Sequence, residues 1–274
     1  MSAVLIALVA VLTPLGVLAV WAEREIGDSD AYVTAMAPLA SDHRVQHAVA
    51  DRIAGEVVRK IDAGPLSGGV RALVRDAVLS FAGTTAYATA WNTVNRAAHT
   101  AVEQALTSEE GDTAHIDLAP VTEQVKRQLG KDGVPFADQI PVVGTRITVV
   151  ESDKLGAARD AFDGLQIAGV WLPIGTVLIA LTAVLLAARR AGAVIALGLA
   201  LAVGGLLLML IVAAGRRLAM EDLPPGLDRP AAGAVFDALT ATLRTTSWWL
   251  MGAGIVVAII VWLTGRQERG PAPV

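Results

Sequence analysis

The sequence predicts an α-helical integral membrane protein: four transmembrane helices plus a mainly helical extracytoplasmic domain with a small β element. Three observations carry that expectation. Charged residues, 18% of the chain, vanish from four long windows and crowd between them. Each window is about 20 residues or longer, enough for a helix rising about 1.5 Å per residue to cross about 30 Å of hydrocarbon. Tryptophans also stand at the ends of three windows, on the ends that an alternating topology places at one membrane face.

Residues 1–22 form the first expected span, its uncharged run being Ser2 to Ala22. Val20-Trp21-Ala22 loosely resembles a signal-peptide cleavage site. Trp21 is bulky, however, and no basic segment precedes the apolar run, so an uncleaved anchor is expected. Lipid cannot satisfy free backbone N–H and C=O groups, and a helix closes all of them within the segment. Residues 164–188 and 191–215 are the second and third spans. Only Arg189 and Arg190 separate their uncharged runs, so the two form a tight antiparallel hairpin. Pro173 should kink the second span. Residues 245–265 are the fourth span, and 266–274 a short tail. Trp21, Trp171 and the pair Trp248-Trp249 supply the aromatic belt.

Orientation follows from charge. Arg189, Arg190, Arg266 and Arg269 lie in very short segments on the face opposite the belt. Positive charge in short segments favours the cytoplasm. Glu23-Arg24-Glu25, then Asp28 and Asp30, make an acidic flank suited to export, although Arg216 and Arg217 argue the other way. The expectation is a multi-pass protein of the cell membrane with both termini cytoplasmic.

Residues 23–163 form the expected extracytoplasmic domain. Ser41-Asp42 is an N-cap for a helix with Val45, Val49, Ile53, Val57 and Ile61 in an i, i+4 stripe. Gly64-Pro65 ends it. A second helix runs near Gly69 to Phe81. A third, from about Thr84 to Leu106, carries an apolar stripe of Tyr87, Trp91, Val94, Ala98 and Val102. Beyond the turn Ser108 to Thr113 the period changes. His115 to Leu118 and Thr145 to Val150 read as short strands, and Pro120 to Leu129 as a helix. Residues 216–244 form a second exposed segment, its Ala231 to Leu243 part an amphipathic helix lying on the domain or the membrane.

Composition excludes several classes of function. A net charge of −4 offers no basic surface for nucleic acid. With no cysteine, disulfides, thiolate metal sites and cysteine nucleophiles are ruled out. No Ser-His-Asp signature, glycine-rich phosphate loop or carboxylate within a span is present, and ion-coupled transport usually needs ionisable groups at depth. Gly198, Ala202 and Gly205, with Gly254 and Ala258, instead mark close helix packing.

Two clusters remain as candidate sites. Trp91, Asn95 and His99 repeat at i, i+4, i+8 with Arg96 alongside, a face on which arginine could grip an anionic ligand through two hydrogen bonds. Alternatively, Asn95 and His99 satisfy buried backbone groups. That structural role is expected for Trp91, Asn95 and His99, while Arg96, directed away from the apolar stripe, is the one expected to bind. His43 and His47 share the i, i+4 spacing of two metal ligands. With no HExxH pattern and no third ligand indicated, a solvated helix N-terminus is expected, and no metal or cofactor.

The chain resembles a family of uncharacterised four-span integral membrane proteins of actinomycetes. The resemblance rests on Asp28-Ser-Asp-Ala-Tyr-Val33, Ala37-Pro-Leu-Ala40, Trp91 with Asn95-Arg96 and His99, Ile116-Asp-Leu118 followed by Pro120, and Trp171-Leu-Pro173. It covers essentially the whole chain, leaves out His43 and His47, and implies topology without an activity. The expected role is that of a non-enzymatic envelope protein. Besides the lipid bilayer, its outer domain would bind a protein, lipid or cell-wall partner. The alternatives are a lipid or small-molecule transporter component and a metal-dependent envelope hydrolase.

Overall fold

The computed structural model describes residues 2–61, 64–107, 115–117, 123, 126–127, 130, 146–148, 152–187, 190–224 and 226–267. The helices are α1 (Ser2–Gly27), α2 (Ser29–Met36), α3 (His43–Ile61), α4 (Ser67–Ala82), α5 (Thr85–Thr107), α6 (Ser152–Leu185), α7 (Arg190–Glu221), α8 (Arg229–Leu239) and α9 (Ala241–Gln267). Two three-residue strands, β1 (His115–Asp117) and β2 (Arg146–Thr148), pair antiparallel with Ile116 opposite Ile147. The turn at 108–113 and most of the helix expected at Pro120 to Leu129 lie outside the described residues. Two compact units result: Met1–Arg24 with Ala161–Leu218 and Thr240–Val274, and Glu25–Asp160 with Ala219–Leu239.

The first unit is an all-α membrane bundle. Among the described residues four helices are long and apolar enough to cross a membrane, over Ala3–Glu25, Ile167–Leu185, Arg190–Glu221 and Ala241–Thr264. Leu178, Leu181, Leu185, Leu199, Leu206, Ile259 and Ile260 are all exposed on this bundle. In water each would forfeit about 1.5–3 kcal/mol relative to burial, a loss that hydrocarbon removes. Hydroxyls in the spans bond back to their own helix. Thr13 Oγ1 donates to Val9 O at 2.7 Å, and Ser247 Oγ to Leu243 O at 2.8 Å. Both hydroxyls are therefore satisfied without water.

Small residues set the helix spacing. A Cβ added at Gly198 would lie 2.6 Å from Gly254 O, and one at Gly254 would lie 2.8 Å from Ala202 N. Backbones of α7 and α9 touch there because neither residue has a side chain. Gly205 meets Ser247 O of α9, and Gly204 meets Thr13 and Ala10 O of α1. Helix α7 thus contacts both α1 and α9, while Gly16 of α1 lies against Pro173 of α6.

The second unit is built around two apolar clusters. Met36, Leu39, Val45 and Ala234 form one, with Tyr32, Val49, Trp91, Ala231 and Val235 against it. Ala40, Ala82 and Tyr87 form the other, with Phe81, Ala88 and Trp91. Trp91 touches both. Gln46 is buried and its Nε2 donates to Ala40 O at 2.8 Å and Ala82 O at 3.1 Å, tying α3 to the end of α4. Gly64 takes a φ of +51° at the turn between α3 and α4, a conformation glycine adopts without steric cost. Asp42 caps α3: its Oδ1 accepts from Arg44 N at 2.8 Å, and the Arg44 guanidinium holds its carboxyl below the ordinary carboxylate value.

Several sequence expectations need correction here. Residues Ser29–Met36 form a helix that periodicity did not reveal, although its cap is visible in sequence: Asp28 Oδ1 accepts from Asp30 N and Ala31 N. Helix α7 runs to Glu221, so Arg216 and Arg217 belong to it. The amphipathic helix expected over Ala231 to Leu243 ends at Leu239, and Leu243 belongs to α9, because Thr240 interrupts the helical run. On α3, Val45 is buried, whereas Ile53 is 41% exposed and Ala50 and Ala54 are fully buried. The fully buried positions of α3 are therefore small residues and not the whole branched stripe. On α5, Val94 and Val102 of the expected apolar stripe are exposed.

Candidate ligand-binding site

The α5 face is assembled by α2. Its N-cap at Asp28 sets the first turn of α2, placing Ser29, Asp30 and Tyr32 where α5 can reach them. Trp91 Nε1 donates to Met36 O at 2.9 Å, closing the end of α2. His99, 8% exposed, lies with Nδ1 2.8 Å from Ser29 Oγ, and its ring tilts against Tyr32 at 4.7 Å between centroids. Burial pushes the Tyr32 phenol above its ordinary value. Asn95 Nδ2 donates to Trp91 O at 2.8 Å within its own helix. The i, i+4 row Trp91–Asn95–His99 is therefore the side of α5 in contact with α2. His99 meets a side-chain hydroxyl there, where a backbone group had been expected.

Arg96 differs from these three. Its Nη1 pairs with Asp30 Oδ1 at 2.6 Å, with side chains 45% and 80% exposed. An ion pair so open to water is weak, and an anionic ligand could exchange with the carboxylate.

Of the two histidines on α3, His47 is engaged by a cation. Arg75 Nη2 donates to His47 Nδ1 at 2.8 Å while Arg75 Nε pairs with Asp51 at 2.6 Å. Among the described residues no group of three or more His, Asp or Glu side chains could hold a metal ion.

A second site was not apparent from the sequence. Helix α3 and the segment 226–235 border an open groove of about 1040 Å³. Val45, Val49 and Ile53 line it from α3, and Leu227, Ala231, Ala232 and Val235 line it from the other side. Leu227 is 57% exposed. Arg52, Arg59 and Arg71 stand around this apolar surface with Asp51 and Asp228. Both carboxylates are engaged: Asp51 by Arg75, and Asp228 by Ala231 N, to which its Oδ1 is the acceptor at 2.8 Å. Glu56 pairs with Arg59 and more distantly, at 3.9 Å, with Arg52. The signal in the sequence is the i, i+4 apolar stripe of α3. Which part of a stripe is covered depends on where its partner helix ends.

Comparison with known proteins finds no family model that matches the chain, no similar curated protein and no similar solved structure.

Proposed function

We propose that the protein is a non-enzymatic envelope protein of the cell membrane, whose hydrophilic unit stands outside the cell and binds a partner through the groove beside α3. The observation that carries this reading is the groove itself. It combines exposed apolar side chains with flanking arginines, and uncovered apolar surface of this kind marks binding sites. The short arginine-bearing segments at 189–190 and 266–269 support cytoplasmic termini. The resemblance to four-span membrane proteins of actinomycetes supports the four-span topology.

Two measurements test it. A reporter active only in the cytoplasm should work when fused after Val274 and fail when inserted at Gly111; the reverse pattern inverts the topology. Ala232→Trp places a large ring in the groove. Crosslinked partners recovered from native membranes with the wild type should be lost with this variant at unchanged abundance and melting. Recovery of the same partners would remove the groove from the proposal. Arg96→Ala in the same assay tests whether the α5 face, with Trp91, Asn95 and His99 as its scaffold, contributes to binding.

A further inference from the structure

We propose that the groove beside α3 binds one anionic phospholipid, its acyl chains on the apolar floor and its phosphate on Arg71 and Arg52; this rests on the reading of that groove as the partner site. The floor is made of Val49, Ile53, Leu227 and Val235, aliphatic side chains with no hydrogen-bonding group. Most lie on helices whose backbone N–H and C=O groups are bonded internally. An extended peptide laid on such a floor would leave its own backbone unpaired, whereas an acyl chain has no polar group to satisfy. The volume, about 1040 Å³, lies just above the range for small-molecule sites, roughly 300–1,000 Å³, and suits a bulky apolar body.

Charge selects the head. The two carboxylates on the groove are already held, Asp51 by Arg75 and Asp228 by the first turn of α8. Arg71 has no carboxylate partner among the described residues, and Arg52 keeps one only at 3.9 Å. A guanidinium offers paired N–H donors that match two phosphate oxygens, and it binds them most strongly beside a wall that excludes water. The site therefore joins an apolar cleft to positive charge that is unpaired among the described residues at Arg71 and loosely paired at Arg52, complementary to a molecule that is apolar along its length and anionic at one end. The same chain carries, among the described residues, four helices long and apolar enough to cross a membrane, and a bilayer supplies molecules of this kind.

The test uses the full-length protein in phosphatidylcholine nanodiscs with two photoactivatable probes. One is phosphatidic acid with a diazirine in its acyl chain; the other is the diacylglycerol with the same chains and no phosphate. Irradiation followed by peptide mapping should place the phosphate probe on peptides spanning 45–59 and 226–235. It should exceed the diacylglycerol there by about tenfold, the factor worth one charge-assisted contact. Arg71→Ala with Arg52→Ala should reduce the phosphate probe to the diacylglycerol level, and Ala232→Trp should block both. Equal labelling by the two probes, or labelling confined to the four spans, overturns the proposal. Should Ala232→Trp lower the folded yield, the arginine variants, both on the exposed rim, still decide. Loss of a protein partner in Ala232→Trp without groove labelling by either probe would keep the partner site and reject the lipid.

Discussion

Replacing His99 by alanine is the substitution whose cost the structure defines best. The ring is 8% exposed, its Nδ1 lies 2.8 Å from Ser29 Oγ, and its face lies against Tyr32 at 4.7 Å. Removing it leaves the Ser29 hydroxyl unpaired in a partly buried position, at about 1–3 kcal/mol. Loss of the ring contact adds about 0.5–1.5 kcal/mol. A total near 2–4 kcal/mol follows, or roughly 5–15 °C in the melting of a unit of this size. Arg96→Ala, on the same helix, removes an exposed ion pair and should cost about 0–1 kcal/mol. The assay is thermal melting of the full-length protein in one detergent, with hydrogen exchange across 29–36 and 85–107 to locate the loss. Ser29→Ala and the double variant complete a cycle that isolates the pair, and a coupling above about 0.5 kcal/mol is expected. Equal melting of wild type and His99→Ala, or a larger loss from Arg96→Ala, would refute the claim that this side of α5 holds α2 in place.

Gly254→Ala should destabilise the membrane bundle and lower its detergent-resistant fraction, because the new Cβ would meet backbone atoms of α7. Gly252→Ala, with nothing within 4 Å of its added Cβ, should be tolerated in the same assay. Tyr87→Phe should melt at the same temperature or higher: the hydroxyl is buried without a hydrogen-bond partner, and deleting it removes a desolvated group. Asp42 gives a pH signature. Its carboxyl is held below the ordinary value of 3.8 by the hydrogen bond from Arg44, so its contribution is complete above that value and is lost as pH falls through the lower folded value. Asp42→Asn should flatten that acid limb in a pH series of denaturant melts, and an unchanged limb would reject the linkage.

The membrane character was legible because it depends on length and composition alone. A backbone in hydrocarbon must bond within its own segment, so four long uncharged runs read as helices, and four helices of that kind are present among the described residues. The glycines at 198, 205 and 254 were legible for a related reason: in lipid, small residues are what let helices touch. Caps were readable too, Asp42 from its position before a periodic run and Asp28 in retrospect, since capping is a local hydrogen bond. What the sequence could not supply is which side of an amphipathic helix finds a partner. Tyr87, Trp91, Val94, Ala98 and Val102 are an apolar set, yet α5 turns Trp91 and His99 toward α2 and leaves Val94 and Val102 exposed. The stripe of α3 likewise divides into a buried end at Val45 and an open end at Ile53. Periodicity records that a face is apolar, whereas its coverage depends on helices brought from as far away as residues 229–239. The groove exists because that coverage stops short, a property of chain packing over long separations that no local pattern of residues encodes.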